Sequence, residues 1–261
     1  IAYSQASRGI ATVLKDVSVE AAEKGKAYSH KLTQKRVDKG RMTADKQAAL
    51  LSLIQPTASA ADLKGCDLII EAVFENRELK ARVTQEAEPM LAEGGFFASN
   101  TSTLPISGLA TASANANKFV GIHFFSPVDK MQLVEIIRGA QTDDETIARA
   151  YDYVQALGKL PIVVNDSRGF YTSRTFGTFV MEGAAMLGEG IPAPVIENLA
   201  MQVGMPVGPL AVLDETALSL SVHVLDQTRE DFAKEGKTHT ATPGELFVER
   251  MVKELKRPGR A

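Results

Sequence analysis

At 261 residues the chain is long enough for one large domain or two moderate ones, and its 44% apolar and 23% charged residues exclude disorder as the default. A formal charge of −3, with lysines and arginines scattered among acids, excludes a polyanion-binding footprint, so no nucleic-acid partner is expected. The single cysteine, Cys66, excludes an internal disulfide framework and a paired-cysteine zinc site, which points to a reducing compartment and no metal. No apolar run approaches the roughly 20 residues that span a bilayer and no signal-peptide pattern opens the chain, so it reads as soluble, without a transmembrane segment.

In chain order, IAYSQASRG looks like the remainder of a helix, and the compact apolar run ATVLKD, residues 11–16, predicts a buried strand closed by an acid. Helical spacing among many charges covers residues 17–39, and Thr43 with Gln47 starts a second helix that ends before Pro56. CDLIIEAV predicts a buried parallel strand, NRELKARVTQEAEPML a helix, and GGFFASN a strand entered through glycines. KFVGIHFF and LVEIIRG are two further strands. DDETIARAYDYVQALG predicts a helix with acids in its first turn, and KLPIVVND one more strand. Beyond Asp166 the segments are helical or mixed. The alternation predicts a doubly wound α/β sheet of Rossmann type over residues 1–166, and a mostly α-helical second domain over residues 167–261.

Several residues are candidates for chemistry, each with a plainer reading beside it. Asp16 stands where the acid at the end of a nucleotide-binding strand accepts bonds from the adenine-ribose hydroxyls and repels a 2′-phosphate, which favours NAD over NADP; acids at strand ends are also common. The G-x-G-x-x-G turn expected before it does not occur, so the chain reads as a Rossmann unit whose first strand and glycine turn are missing, and Ile1 as a cut start. Glu75 and Lys80 follow a strand's carboxyl end, where ligands bind in open α/β sheets; a solvated helix start explains the acid as well. SNTSTLPI, residues 99–106, either caps the next helix or lines a polar pocket.

The stretch GIHFFSPVDKMQLVEII, residues 121–137, carries the sharpest expectation. A lone histidine on a buried strand is ordinarily a hydrogen-bonded core residue. Glu135 on the following apolar strand, however, needs a partner to offset its desolvation, and His123 on a neighbouring strand can supply it. A carboxylate on one ring nitrogen fixes the tautomer and leaves the other nitrogen free for proton transfer, the arrangement of a general base.

With these residues in view, the sequence resembles the L-3-hydroxyacyl-CoA dehydrogenase family, most closely the dehydrogenase segment of multifunctional fatty-acid-oxidation α subunits. DLIIEAVFENRELK, FFASNTSTLPI, GIHFFSPVDKMQLVEII, ALGKLPIVVND, GFYTSR and GMPVGPLAVLDE carry the resemblance over essentially the whole chain. It implies NAD-dependent oxidation of L-3-hydroxyacyl-CoA to 3-ketoacyl-CoA in β-oxidation. By position, His123 would be the catalytic base, Glu135 its orienting acid, and Ser102 the group bonded to the substrate's 3-oxygen. Asn100 would lie near the nicotinamide, and Asp16, Glu75 and Lys80 among the cofactor's contacts. Ser126 stands where single-function members have asparagine and is similar to the multifunctional branch. Arg168 departs from the family's more common proline or alanine, and Ser173 from its common asparagine, which shortens the reach of a substrate-binding side chain. Both ends stop short of the family pattern. The resemblance also implies an acyl-CoA substrate, a homodimer or a complex with a thiolase, and a cytoplasmic location in a bacterium or a mitochondrial or peroxisomal one in a eukaryote. The alternatives are an inactive or assembly-only fragment, or a related β-hydroxyacid dehydrogenase, a group that looks built around a catalytic lysine.

Overall fold

The structure, a computed structural model, describes residues 1–261 apart from 235, 258, 260 and 261. The chain divides into two units, Ile1–Thr172 and Ser173–Ala261. In the first, a short helix α1 (Ala2–Ala6) precedes strand β1 (Thr12–Lys15), helices α2 (Val19–Asp38) and α3 (Ala44–Ser52), and strand β2 (Ile54–Thr57). There follow β3 (Cys66–Glu71), α4 (Arg77–Ala87), β4 (Leu91–Ser99), the single-turn α5 (Ile106–Leu109), β5 (Phe119–Phe124), β6 (Leu133–Arg138), α6 (Asp144–Ala156) and β7 (Leu160–Asn165). The four longer helices of this unit begin where a short polar side chain satisfies an orphan amide: Ser18, Thr43, Asn76 and Asp143 accept from Ala21, Lys46, Leu79 and Thr146.

Strands β3 to β7 form one sheet in chain order, parallel throughout except for the antiparallel pair β5 and β6. Because side chains alternate across a strand, the sheet feeds two apolar clusters. One gathers Ile69, Phe97, Phe119 and Ile137 with Phe170; the other gathers Phe96, Val120, Ile122, Val134 and Ile136 under Ile147, Ala150 and Val154 of α6. Every residue of β5 is buried. Gly121 is required there, since a Cβ at that position would stand 2.8 Å from both the Ile106 and Ile137 side chains. Its absence lets α5 lie against the strand two residues before His123.

Two findings differ from the sequence reading. Residues 54–57 are a strand, although Pro56 lies inside them; β2 pairs only with β1 among the described residues, and an edge strand tolerates a proline that donates no bond. The strands also fall into two sheets, β1 with β2 in parallel and the five-stranded sheet apart. A cavity of about 480 Å3 is lined by Thr12 and Val13 of β1, by Cys66 and Leu68 of β3, and by Gln5 and Tyr153.

The second unit is helical among its described residues: α7 (Thr172–Gly188), α8 (Ala193–Gln202), α9 (Pro209–Glu215), α10 (Leu218–Lys234) and α11 (Pro243–Lys253). Its core joins Val180, Ala184, Leu213, Leu218, Val222 and Val248. Thr242 and Glu245 close a reciprocal capping box at the start of α11. Among the described residues no helix is long and apolar enough to cross a membrane.

Candidate active site

The antiparallel register of β5 and β6 sets His123 directly opposite Glu135. Side chains at facing positions of such a pair are within reach of one another, and the sequence separation of twelve is absorbed by the loop that joins the strands. The His123 ring nitrogen Nδ1 lies 2.8 Å from Glu135 Oε2, with His123 7% exposed and Glu135 completely buried. Nε2 is then the ring nitrogen that remains for proton transfer. The imidazole is packed between aromatic rings, its centroid 4.4 Å from that of Phe125 and 6.2 Å from that of Phe170.

Glu135 receives more than the histidine. Its Oε1 accepts the backbone amides of Tyr171 at 3.0 Å and Thr172 at 2.8 Å, and its Oε2 also accepts the Thr172 hydroxyl at 2.7 Å. Burial acts to raise its carboxyl, but the bonds from His123 and Thr172 outweigh burial and hold it below the usual carboxylate range. A carboxylate so surrounded by donors stays ionised and cannot rotate without breaking bonds. The turn that aims these amides is unusual. Gly169 and Phe170 both have positive φ, +72° and +47°, and Phe170 takes up this left-handed conformation although it has a side chain. Its buried ring, part of the sheet's apolar cluster, offsets that cost. Sequence reasoning missed Phe170 and Thr172; the signal available was the glycine in RGFYT.

A second polar cluster lies at the carboxyl ends of β3 and β4. Glu75 Oε1 accepts the Thr101 hydroxyl at 2.6 Å and the amides of Ser102 at 2.9 Å and Thr103 at 3.1 Å, so that the loop after β4 is wrapped around one carboxylate oxygen. Burial again pushes this carboxyl up, while the Thr101 bond, the Lys80 charge and the two amides bring it below its ordinary value. The Ser102 hydroxyl is exposed, with Glu75 at a long 3.4 Å. The capping reading of SNTSTLPI fails, because α5 starts after Pro105 with its Ile106 and Ser107 amides accepted by Asp166; the Thr101 hydroxyl instead accepts the Leu104 amide within the loop. Asn100 Oδ1 accepts the amide of Phe124 at 2.9 Å, tying this loop to the residue after His123.

Lys80 is 1% exposed, its Nζ bonded to both oxygens of Glu71 at 2.9 and 3.1 Å and 3.6 Å from Glu75 Oε2. Asp16 lies exposed just past β1, its Oδ1 accepting the Val17 amide. Ser126 is exposed beyond Phe125, in a cis peptide bond with Pro127. Thus the structure joins His123 with Glu135, Asn100 with the strand of His123, and Ser102 with Glu75 and Lys80. Asp16 sits on the separate β1–β2 sheet, and Ser173 belongs to the second unit, in the first turn of α7.

A histidine locked to a buried carboxylate is equipped for proton transfer, and comparison with known families supplies the class of protein that carries it. Residues 1–167 match the 3-hydroxyacyl-CoA dehydrogenase NAD binding domain, and residues 169–261 match the C-terminal domain of the same family. The chain belongs to the 3-hydroxyacyl-CoA dehydrogenase family. Its cofactor is accordingly NAD. Among family members, the fatty acid oxidation complex subunit alpha of Pseudomonas paraeruginosa is 40% identical over 242 residues, which cover 91% of this chain and 34% of that protein. The chain thus spans about a third of the length of such curated relatives. Among solved structures, the (S)-3-hydroxybutyryl-CoA dehydrogenase PaaH1 of Ralstonia eutropha is 33% identical with a TM-score of 0.89, covering 99% of this chain and 90% of that one. FadB2 of M. tuberculosis is 26% identical with a TM-score of 0.86, with the same two coverages. All the candidate residues except Ser173 fall within the family's NAD-binding domain.

Proposed function

We propose that this chain oxidises L-3-hydroxyacyl-CoA to 3-ketoacyl-CoA with NAD, using His123 as general base and Glu135 as its orienting acid. The observation that carries this reading is the His123–Glu135 pair, with Tyr171 and Thr172 completing the carboxylate's bonds. With Nδ1–H donating to Glu135, Nε2 carries the lone pair that takes the hydroxyl proton of the substrate. Glu135 stabilises the imidazolium that results, and Phe125 and Phe170 limit water around it. The exposed Ser102 hydroxyl donates to the substrate oxygen, while Asn100 holds its loop against Phe124.

The residues present fit the cofactor. Asp16, exposed past the end of β1, keeps Oδ2 for the adenine-ribose hydroxyls while Oδ1 holds the Val17 amide. Asn100 and Glu75 belong on the same reading to the loops that border the nicotinamide, whereas Lys80 of α4, 1% exposed, acts there through Glu75 and not by touching the cofactor. When bound, NAD supplies the acceptor for the hydride that leaves the substrate's C3.

In this reading residues 1–166 are the NAD-binding domain and residues 167–261 the helical C-terminal domain, and the proposed substrate contacts are Ser102 and Ser126 in the first and Ser173 in the second. A wider proposal follows the sequence resemblance: the chain is the dehydrogenase part of a longer fatty-acid-oxidation α subunit with a hydratase part, acting in the cytoplasm as a homodimer or with a thiolase; of this, the relatives' names support a subunit of a fatty acid oxidation complex. The test is reduction of acetoacetyl-CoA by NADH, followed by NADH absorbance. Turnover that depends on both reactants supports the reading; binding of NADH with no turnover of any 3-ketoacyl-CoA contradicts it.

A further inference from the structure

A second pair of charges is buried as deeply as Glu135. Glu71, at the end of β3, has a side chain with no exposure, and Lys80 of α4 has 1%. Lysine is almost never so buried unless it is paired, and here the pairing is dense. Glu71 Oε1 accepts Lys80 Nζ at 2.9 Å and the Val73 amide at 2.6 Å, and its Oε2 accepts the Ser99 hydroxyl at 2.7 Å and Lys80 Nζ at 3.1 Å. Lys80 Nζ reaches further, to the carbonyl oxygens of Val73 at 3.3 Å and Asn100 at 3.4 Å, so one ammonium bridges the chain after β3 and the chain after β4. Its third carboxylate oxygen is Glu75 Oε2, while Glu75 Oε1 is taken up by Thr101, Ser102 and Thr103.

We infer that Glu71 is a positioning residue for the proposed reaction, acting through Lys80 and Glu75 to hold the Asn100–Ser102 loop in place. The argument is one of charge sharing. The Glu71 carboxylate pairs with Lys80 and leaves Glu75 to bind the loop. With glutamine in place of Glu71, the buried ammonium has Glu75 as its one remaining carboxylate and draws it down, and the amides of Ser102 and Thr103 lose their acceptor. The effect falls on Ser102 and Asn100, which touch the ligands in the reading above, although Glu71 touches neither.

The inference rests on that reading for its catalytic consequence but not for its structural one, so the test has two arms. In the full-length protein without ligand, Glu71→Gln should raise hydrogen exchange of the Ser102 and Thr103 amides at least about tenfold, while the Glu135–Ile137 amides of β6 stay within about twofold. In acetoacetyl-CoA reduction the same variant should lose about ten- to a hundredfold in kcat, with a smaller rise in the NADH dissociation constant because Asn100 and Glu75 are among the proposed cofactor contacts. Glu71→Asp, which keeps the charge but retracts it, should fall between and covers the case in which Glu71→Gln does not fold. Wild-type exchange at Ser102 and Thr103 in a folded variant overturns the inference, as does an equal loss of protection across β3 to β6. If the wild-type protein does not turn over acetoacetyl-CoA, the functional reading fails while the exchange arm still decides the role of Glu71.

Discussion

Replacing Glu135 with Gln changes one atom at the most heavily bonded carboxylate near His123, and the bonds set the size of the effect. A carboxamide can keep its oxygen toward the Tyr171 and Thr172 amides, at 3.0 and 2.8 Å. Its NH2 then faces two donors, His123 Nδ1–H at 2.8 Å and the Thr172 hydroxyl at 2.7 Å. Relief comes only if the hydroxyl turns away and Nδ1 becomes an acceptor, which moves the ring proton to Nε2 and removes the lone pair that the proposed reaction needs. Two charge-assisted bonds, about 1.5–3 kcal/mol each, become neutral ones of about 1 kcal/mol, for a net loss of about 1–4 kcal/mol. For a unit of this size that corresponds to roughly 2–4 °C in Tm per kcal/mol. Loss of general-base catalysis adds a fall of about 10²–10⁴ in kcat. The assay is acetoacetyl-CoA reduction at saturating NADH, alongside thermal unfolding and NADH titration. If Glu135→Gln lowers Tm as expected but keeps kcat within about threefold, the carboxylate is a structural partner of the turn at Phe170 and the tautomer argument is refuted.

Three further outcomes are expected. Asp16→Ser should improve the ratio of NADPH to NADH turnover by about tenfold, about 1.4 kcal/mol, because a carboxylate repels a 2′-phosphate; an unchanged ratio removes Asp16 from the cofactor's contacts. Gly121→Ala should cost about 1–3 kcal/mol by forcing Ile106 and Ile137 aside from a Cβ at 2.8 Å, measurable by urea unfolding, and a neutral result would mean that α5 yields freely. In the second unit, hydrogen bonds from Arg229 and Lys253 hold the Glu249 carboxyl at about 2, down from 4.5. Since the folded value is the lower one, its stabilisation is present above the ordinary range and is lost as pH falls from 4.5 toward 2. Glu249→Gln should therefore flatten the fall in stability over that window, and a fall as steep as in the wild type would contradict the bonding.

The residues that the sequence made legible are those whose patterns are local. Compact apolar runs marked β3 to β7, while helical spacing among charges marked α2, Thr43 the start of α3, and acids in the first turn α6. The partnership of His123 with Glu135 was legible because an acid in an apolar strand must find a donor, although the register that makes them face one another is a tertiary fact. What stayed hidden depended on long-range packing. Pro56 obscured β2, because only the edge position of that strand makes the proline tolerable. Lys80, surrounded in sequence by charged helix residues, gave no sign that it is buried against Glu71. Tyr171 and Thr172 lie beyond the last strand of the sheet and reach Glu135 because two successive left-handed residues, Gly169 and Phe170, turn the chain back.

The central claim is that His123 moves the proton, and His123→Gln tests it most directly. The substituted protein should bind NADH with wild-type affinity and reduce acetoacetyl-CoA with kcat lowered by about a hundredfold or more. Retention of wild-type kcat in a protein that still folds and binds NADH would contradict the account.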